Sequence, residues 1–507
     1  MHQPFYKDLE SNEFILPWVR LHAIKDYFDM VKILEDFPKI KLTFNLVPSL
    51  LEQLNDYVNG VQDYFQKISM REIKSLSDQE RQFVLDNFFS INVETVISSF
   101  PRYLQLFKQK QAHGDFSDQD IEDLIALFNI SWFDPYFREN FTEIDTLIKK
   151  ARYFDIHDRK LIIDKQLEAL KLVLPIYKEF QEKKQIEIIF SPYYHPILPL
   201  LVDNTCAKEA NSHVRLPRHR FSYVNDALMQ IEQGKAYLKE TLGCDCTGMW
   251  PSELSVSEAI LPLVIKNKID WLIADEDILF SSLKKKRNAK YLYRPYRLER
   301  KDGILNIIFR DKHLSDLIGF QYKERKAKDA ADDFLTYLEN INKLYKKQDT
   351  LVVVALDGEN AWEYYKNDGW DFLKELYSKL SEADFIKSTL ISDYLKEYPP
   401  KENIPSISTG SWIYANFNKW IGSSKKNLAW DYLAKARKLV ESLDEKDEQK
   451  LSLIYKQLYI LEGSDWFWWF DEANLDFDRL FRLHLTNLYK YLGETPPKEL
   501  SFPLKKS

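Results

Sequence analysis

A parallel α/β sheet or barrel, carrying a helical insertion and followed by a mainly helical C-terminal region, is the fold class this sequence predicts. Three observations predict it. Short apolar runs bounded by turn residues alternate with helical patterns between about 185 and 400. Within 50–183, apolar positions recur at threes and fours with charged faces between them, as in 120–128 and 161–177. Beyond the Pro-rich stretch 398–405 the strand patterns stop and the period is helical again. Two regions follow: a barrel-type unit over 1–400 that includes the insertion at about 50–183, and a helical region over 401–507.

Taken in order, 41–47 alternates and turns at Pro48, which predicts a strand. The compact apolar run 185–191 is a second, stopped by Pro192. A helix is expected over 224–241, a short strand over 247–250 ending at Pro251, a helix near 256–265 and a buried strand over 270–274. Segments 291–298 and 304–310 read as a strand pair around the Lys301-Asp302-Gly303 turn. A charged helix is expected over 327–346. Segment 351–356, Leu-Val-Val-Val-Ala-Leu, carries the clearest signal of a strand covered on both faces. Helices near 427–443, 445–461 and 476–492 complete the chain.

Composition narrows the function classes. The net charge of -7 makes the chain a poor partner for nucleic acid or anionic membrane, whereas a neutral polysaccharide raises no such objection. No run of 18 apolar residues appears, so no membrane span is expected. Three cysteines, Cys206, Cys244 and Cys246, make an odd and sparse set, and the expected compartment is the cytoplasm. Cys244-Asp-Cys246 lacks a second pair to complete a metal site.

In parallel α/β folds the chemistry gathers beyond the C-terminal ends of the strands. Glu253 follows the strand at 247–250, and Asp357 with Glu359 follows 351–356. His195 follows 185–191, and Arg310 and then Asp316 follow 304–309. Two carboxylates on different strands are what glycoside hydrolysis needs: one attacks or stabilises the anomeric carbon while the other protonates the leaving oxygen. A helix cap or an ordinary loop charge is the competing reading of each. Trp250 and Trp362 flank the pair. Six of the 12 tryptophans lie after residue 400, among them Trp412 and the dense run Asp465-Trp466-Phe-Trp-Trp469. Aromatic faces suit the apolar faces of sugar rings. The same run also suits a domain-interface core.

On these residues the chain resembles family 57 of the glycoside hydrolases, nearest its α-amylase and amylopullulanase branch. His2-Gln3-Pro4, Ser191-Pro-Tyr-Tyr-His195-Pro, Gly248-Met-Trp-Pro-Ser-Glu253 and Leu356-Asp357-Gly-Glu-Asn-Ala-Trp362 resemble its first four motifs in order. Gly410-Ser-Trp412 and Glu462-Gly-Ser-Asp465-Trp466 resemble its C-terminal signatures. The resemblance implies a (β/α)7 barrel, Glu253 as nucleophile, Asp357 as acid/base, retention of configuration, and neither a metal nor an organic cofactor. Three departures stand out. Met1 falls where the strand leading into the first motif would be ending. Leu254 stands where the near branch has Gly. Cys244-Asp-Cys246 replaces a Pro-containing approach to the third motif.

The expectation is a retaining glycoside hydrolase acting on α-glucans at α-1,4 bonds, with α-1,6 bonds left open, the two carboxyl groups about 5–5.5 Å apart. The expected substrate contacts are His2, Gln3, His195, Trp250, Arg310, Asp316, Glu359, Trp362, Trp412, Asp465 and Trp466. A 4-α-glucanotransferase or a branching enzyme would use the same residues. Rivals of other classes are an inactive glucan-binding protein and a metal-dependent hydrolase using His2, His195, Asp357 and Asp316. Oligomeric state is not legible.

Overall fold

The computed structural model describes residues 1–345 and 350–504 and is a mixed α/β molecule, mostly helical. Its strands are short. β1 (Leu42–Asn45) and β2 (Ile186–Ile189) pair in parallel from Leu42↔Ile186 to Asn45↔Ile189. A parallel bridge, Phe190↔Met249, carries the sheet on to β3 (Gly248–Met249), which pairs in parallel with β4 (Trp271–Asp275). β5 (Tyr296–Arg300) and β6 (Gly303–Arg310) form the expected hairpin, and β6 lies parallel to β4. Gly248 is required by packing: a Cβ there would lie 2.3 Å from the Trp271 ring.

The insertion is helical throughout. Its longest member, Ile156–Glu182, begins in a capping box in which Asp155 accepts from the Asp158 amide. The expected helix at 327–346 is present as Ala327–Tyr345, and Lys346 lies outside the described residues.

One expectation fails in an instructive way. Segment 351–356 is extended but joins no ladder among the described residues. Toward β6 it makes a single backbone bond, Asp311 N to Val353 O at 2.7 Å, and Leu351, Val353 and Ala355 pack inward with Ile189, Trp271, Ile273 and Ile308. On its other side no strand among the described residues lies against it. β1 is open on the matching side. Its Leu42 and Leu46 amides bond toward β2, so those of Thr43 and Asn45 point away. Met1 touches that free edge, with its amine on Asn45 O at 2.7 Å and its carbonyl accepting from Val47 N at 3.2 Å. A cavity of about 1100 Å³ runs from this point between β1 and 351–356, walled by Leu42, Phe44, Val354, Leu376 and Tyr377.

Helices Ser424–Glu441, Glu448–Leu461 and Asp476–Tyr491 form the C-terminal region. They are tied to the rest by buried polar contacts. Arg437 Nε donates to Asp226 at 2.7 Å, Gln230 to Glu462 at 2.7 Å and Asn487 to Asp8 at 2.6 Å. No helix among the described residues is long and apolar enough to cross a membrane.

Candidate active site

The upper part of the same cavity opens at the C-terminal ends of the strands, and most of the expected residues line it: His2, Gln3, His195, Trp250, Glu253, Asp357, Glu359, Trp362, Trp412 and Asp465. Glu253 is set by a sharp turn after β3. Pro251 ends the strand, and Glu253 (φ 58°) and Leu254 (φ 49°) both take the left-handed conformation. For residues with side chains this costs on the order of 1 kcal/mol each and persists only where surroundings enforce it. The enforcement comes from Trp412. Its amide donates to Glu253 O at 3.2 Å and its indole Nε1 to Glu253 Oε2 at 2.7 Å. His195, also left-handed at φ 57°, brings Nδ1 to 4.0 Å from Glu253 Oε1.

Across the cleft Asp357 ends the extended run, exposed to the cavity. Beside it Glu359 accepts from the His2 amide (2.7 Å) and from Tyr27 Oη (2.9 Å), which ties the Asp357 loop to the chain start and to the π-helical turn Ala23–Tyr27.

The electrostatics follow from this crowding of acids. Burial, then the charge of Asp357, pushes the Glu253 carboxyl up to about 8. Burial and Glu359 push Asp357 up to about 6. The two therefore share protons across the neutral range, and in the open cleft the proton favours Glu253. A hydrogen-bond acceptor resting on Asp357, or positive charge beside Glu253, would shift that proton to Asp357.

His2 and His195 stack face to face, centroids 3.7 Å apart and planes at 25°. His2 Nε2 meets Asp465 Oδ2 at 3.1 Å. Burial opposes its charge, but Asp465 outweighs it and the net shift is upward. Burial and the neighbouring His2 hold His195 well below the usual range, so the stack pairs a chargeable ring with a neutral one. His2, His195 and Asp465 are also the one set among the described residues whose ligand atoms lie close enough together for a metal, within 4.8 Å. In stacked rings the in-plane nitrogen lone pairs run side by side rather than converging, which suits hydrogen bonding to hydroxyls better than tetrahedral coordination.

Three expected contacts sit elsewhere. Arg310 lies behind Trp412, its guanidinium 4.8 Å from the ring and bonded to Asp275 at 2.7 Å, so it braces the indole that holds Glu253. Asp316 lies 3.9 Å behind Arg310. Trp466 is 1% exposed and donates to Ile460 O, facing the helical core. The reason is helical period. On Ser464–Trp469, Asp465, Trp468 and Trp469 share one face and line the cleft, while Trp466 and Phe467 take the opposite face. Trp468 and Trp469 were legible from that spacing. Trp362 lines the cavity but is itself buried, its six-membered ring 2.6 Å from where a Gly369 Cβ would be.

Residues 1–407 match the model of glycosyl hydrolase family 57. The chain belongs to that family. Its relatives include an α-amylase of Pyrococcus abyssi, 22% identical over 65% of this chain and 44% of its own length. A 4-α-glucanotransferase of Thermococcus kodakarensis is 23% identical over 45% of this chain and 30% of its own length. The chain thus spans less than half the length of these curated relatives. In fold, it superposes on a family 57 branching enzyme from Thermococcus kodakaraensis with a TM-score of 0.62 at 14% identity, covering 97% of this chain and 88% of that one.

Proposed function

We propose that this chain is a retaining glycoside hydrolase of α-glucans, with Glu253 as nucleophile and Asp357 as acid/base. The observation that carries the reading is that these carboxyls, one after β3 and one after the extended run 351–356, line one cleft, where the charge of Asp357 helps to raise the Glu253 carboxyl. Asp357 gives its proton to the glycosidic oxygen as Glu253 Oε attacks the anomeric carbon. The C–O bond breaks and a glycosyl-enzyme ester forms. Asp357 then takes a proton from water, whose oxygen attacks the same carbon and releases Glu253. Trp412 keeps one Glu253 oxygen bonded and so presents the other. His2, Asp465 and His195 face the sugar hydroxyls.

Two finer readings of the fold accompany this. The strands and the extended run 351–356 are arcs of a (β/α)7-type barrel wall. Residues 1–400 form the catalytic unit, and 401–507 complete the cleft through Trp412, Asp465, Trp468 and Trp469.

Transfer to another glucan in place of water uses the same residues. The names of the glucanotransferase and branching-enzyme relatives favour it as the second reading. Product analysis separates the two. With maltoheptaose, amylose and pullulan supplied separately, hydrolysis gives new reducing ends and shorter chains only, whereas transfer gives products longer than the donor or new branches. E253Q and D357N are expected to lose at least about 10³-fold in kcat with the fold intact. Wild-type rates in either variant would remove the assignment.

A further inference from the structure

The loop that places Trp412 in the cleft carries, two residues on, an aromatic ring aimed elsewhere. Tyr414 is 82% exposed, yet its loop is braced. Gly410 bridges to Val256, and a Cβ on it would lie 2.4 Å from Ala415 O. Ser411 Oγ accepts from the Ile413 amide at 3.1 Å and donates to Asn416 O at 2.7 Å. Asn416 Nδ2 donates to Tyr414 O at 3.0 Å. Tyr414 and Ala415 are both left-handed, at φ 54° and 51°. Apolar burial would pull a tyrosine ring inward. A hydrogen-bonded loop that accepts two strained residues and still leaves the ring in water points to a ligand for it.

Beside the ring lies a depression of about 460 Å³ lined by Asp277, Phe280, Ser281, Arg287, Tyr414 and Ala415. Arg287 lies 5.0 Å over Phe280 and pairs with both Asp277 and Glu276, while Lys312 Nζ meets Asp277 Oδ2 at 3.1 Å. Two carboxylates thus offset two cations, leaving a floor rich in donors and acceptors but balanced in charge. That chemistry suits a neutral polyhydroxylated ring, with its C–H face on the tyrosine, and suits an anion poorly. The place is right too. Asp277 opens helix Glu276–Leu283 directly after β4, and its amide donates to Asp275. Asp275 holds Arg310, Arg310 backs Trp412, and Trp412 holds Glu253.

We propose that this depression is a second glucan-binding subsite on the rim of the cleft, with one pyranose ring stacked on Tyr414 and its hydroxyls held by Asp277 and Arg287. The proposal rests on the α-glucan reading above. It is tested in the E253Q protein, by native electrophoresis through amylose and calorimetric titration with maltoheptaose. E253Q/Y414A is expected to bind both about five- to tenfold more weakly than E253Q, and E253Q/Y414W to bind like E253Q. Affinities of E253Q and E253Q/Y414A that agree within about twofold would overturn the subsite and leave the cleft reading standing. An E253Q protein with no affinity for either glucan would overturn both.

Discussion

Glu253 concentrates a conflict: a mostly buried carboxyl in a strained turn, facing a second acid. Its folded-state pKa of about 8 lies above the ordinary 4.5, so the folded protein holds that proton more tightly than the unfolded chain. The resulting contribution to stability is full below about pH 4.5 and is lost as pH rises to about 8. E253Q keeps an oxygen for the Trp412 indole and removes the titration. Its stability relative to wild type should therefore grow between pH 5 and pH 8, by about 2–4 kcal/mol, in urea melts at the two pH values. A constant difference would mean that Glu253 titrates normally. Catalysis reads the same pair another way. Turnover needs one proton on two carboxyls, so kcat/KM should be bell-shaped, with limbs near 6 and 8, and D357N should abolish the profile with the activity. Both acids were legible in the sequence because each follows a strand-like run. The left-handed turn was not, since nothing in Ser252-Glu253-Leu254 announces such a conformation: it is imposed by Trp412, far along the chain. For Arg310 the sequence suggested orienting Glu253 or pairing with Asp311; the structure pairs it with Asp275 and sets it behind Trp412, a partner from the C-terminal region that no local pattern could supply.

At the scale of elements, the run 351–356 shows what periodicity can and cannot say. Apolar, β-branched residues report burial on two faces, and both faces are covered: one by the inner cluster with Ile308 and Trp271, the other by the helices Ala327–Tyr345 and Trp370–Glu382. Residue type reports nothing about hydrogen-bonding edges, and among the described residues no strand pairs with 351–356. The Trp-rich stretch teaches a related point: composition located it, but the helical period of Ser464–Trp469 decides which of its rings meet the cleft.

For the whole molecule, the question is whether the boundary near residue 400 divides anything in energy. The Pro-rich stretch and the change of pattern mark it clearly in the sequence, but the contacts across it are not those of a loose linker. Arg437 and Asp226 form a buried pair, Glu462 reaches Gln230, His484 Nε2 donates to Phe5 O at 3.2 Å, and Ser464 N bonds His195 O at 3.0 Å, next to the stacked histidines. Such long-range pairings are invisible to pattern reading, because no local rule links Arg437 to a helix two hundred residues earlier. Their removal is costly: breaking a buried ion pair on one side typically loses about 3–5 kcal/mol, since the remaining charge has no water to turn to. The two regions should therefore unfold together, in one calorimetric transition whose midpoint falls in R437A. The site should be lost in the same transition, because Glu253 of one region is held by Trp412 of the other. Two resolved transitions, with R437A moving only one, would mean that residues 1–400 fold without the C-terminal helices and that the cleft is assembled by docking rather than by folding.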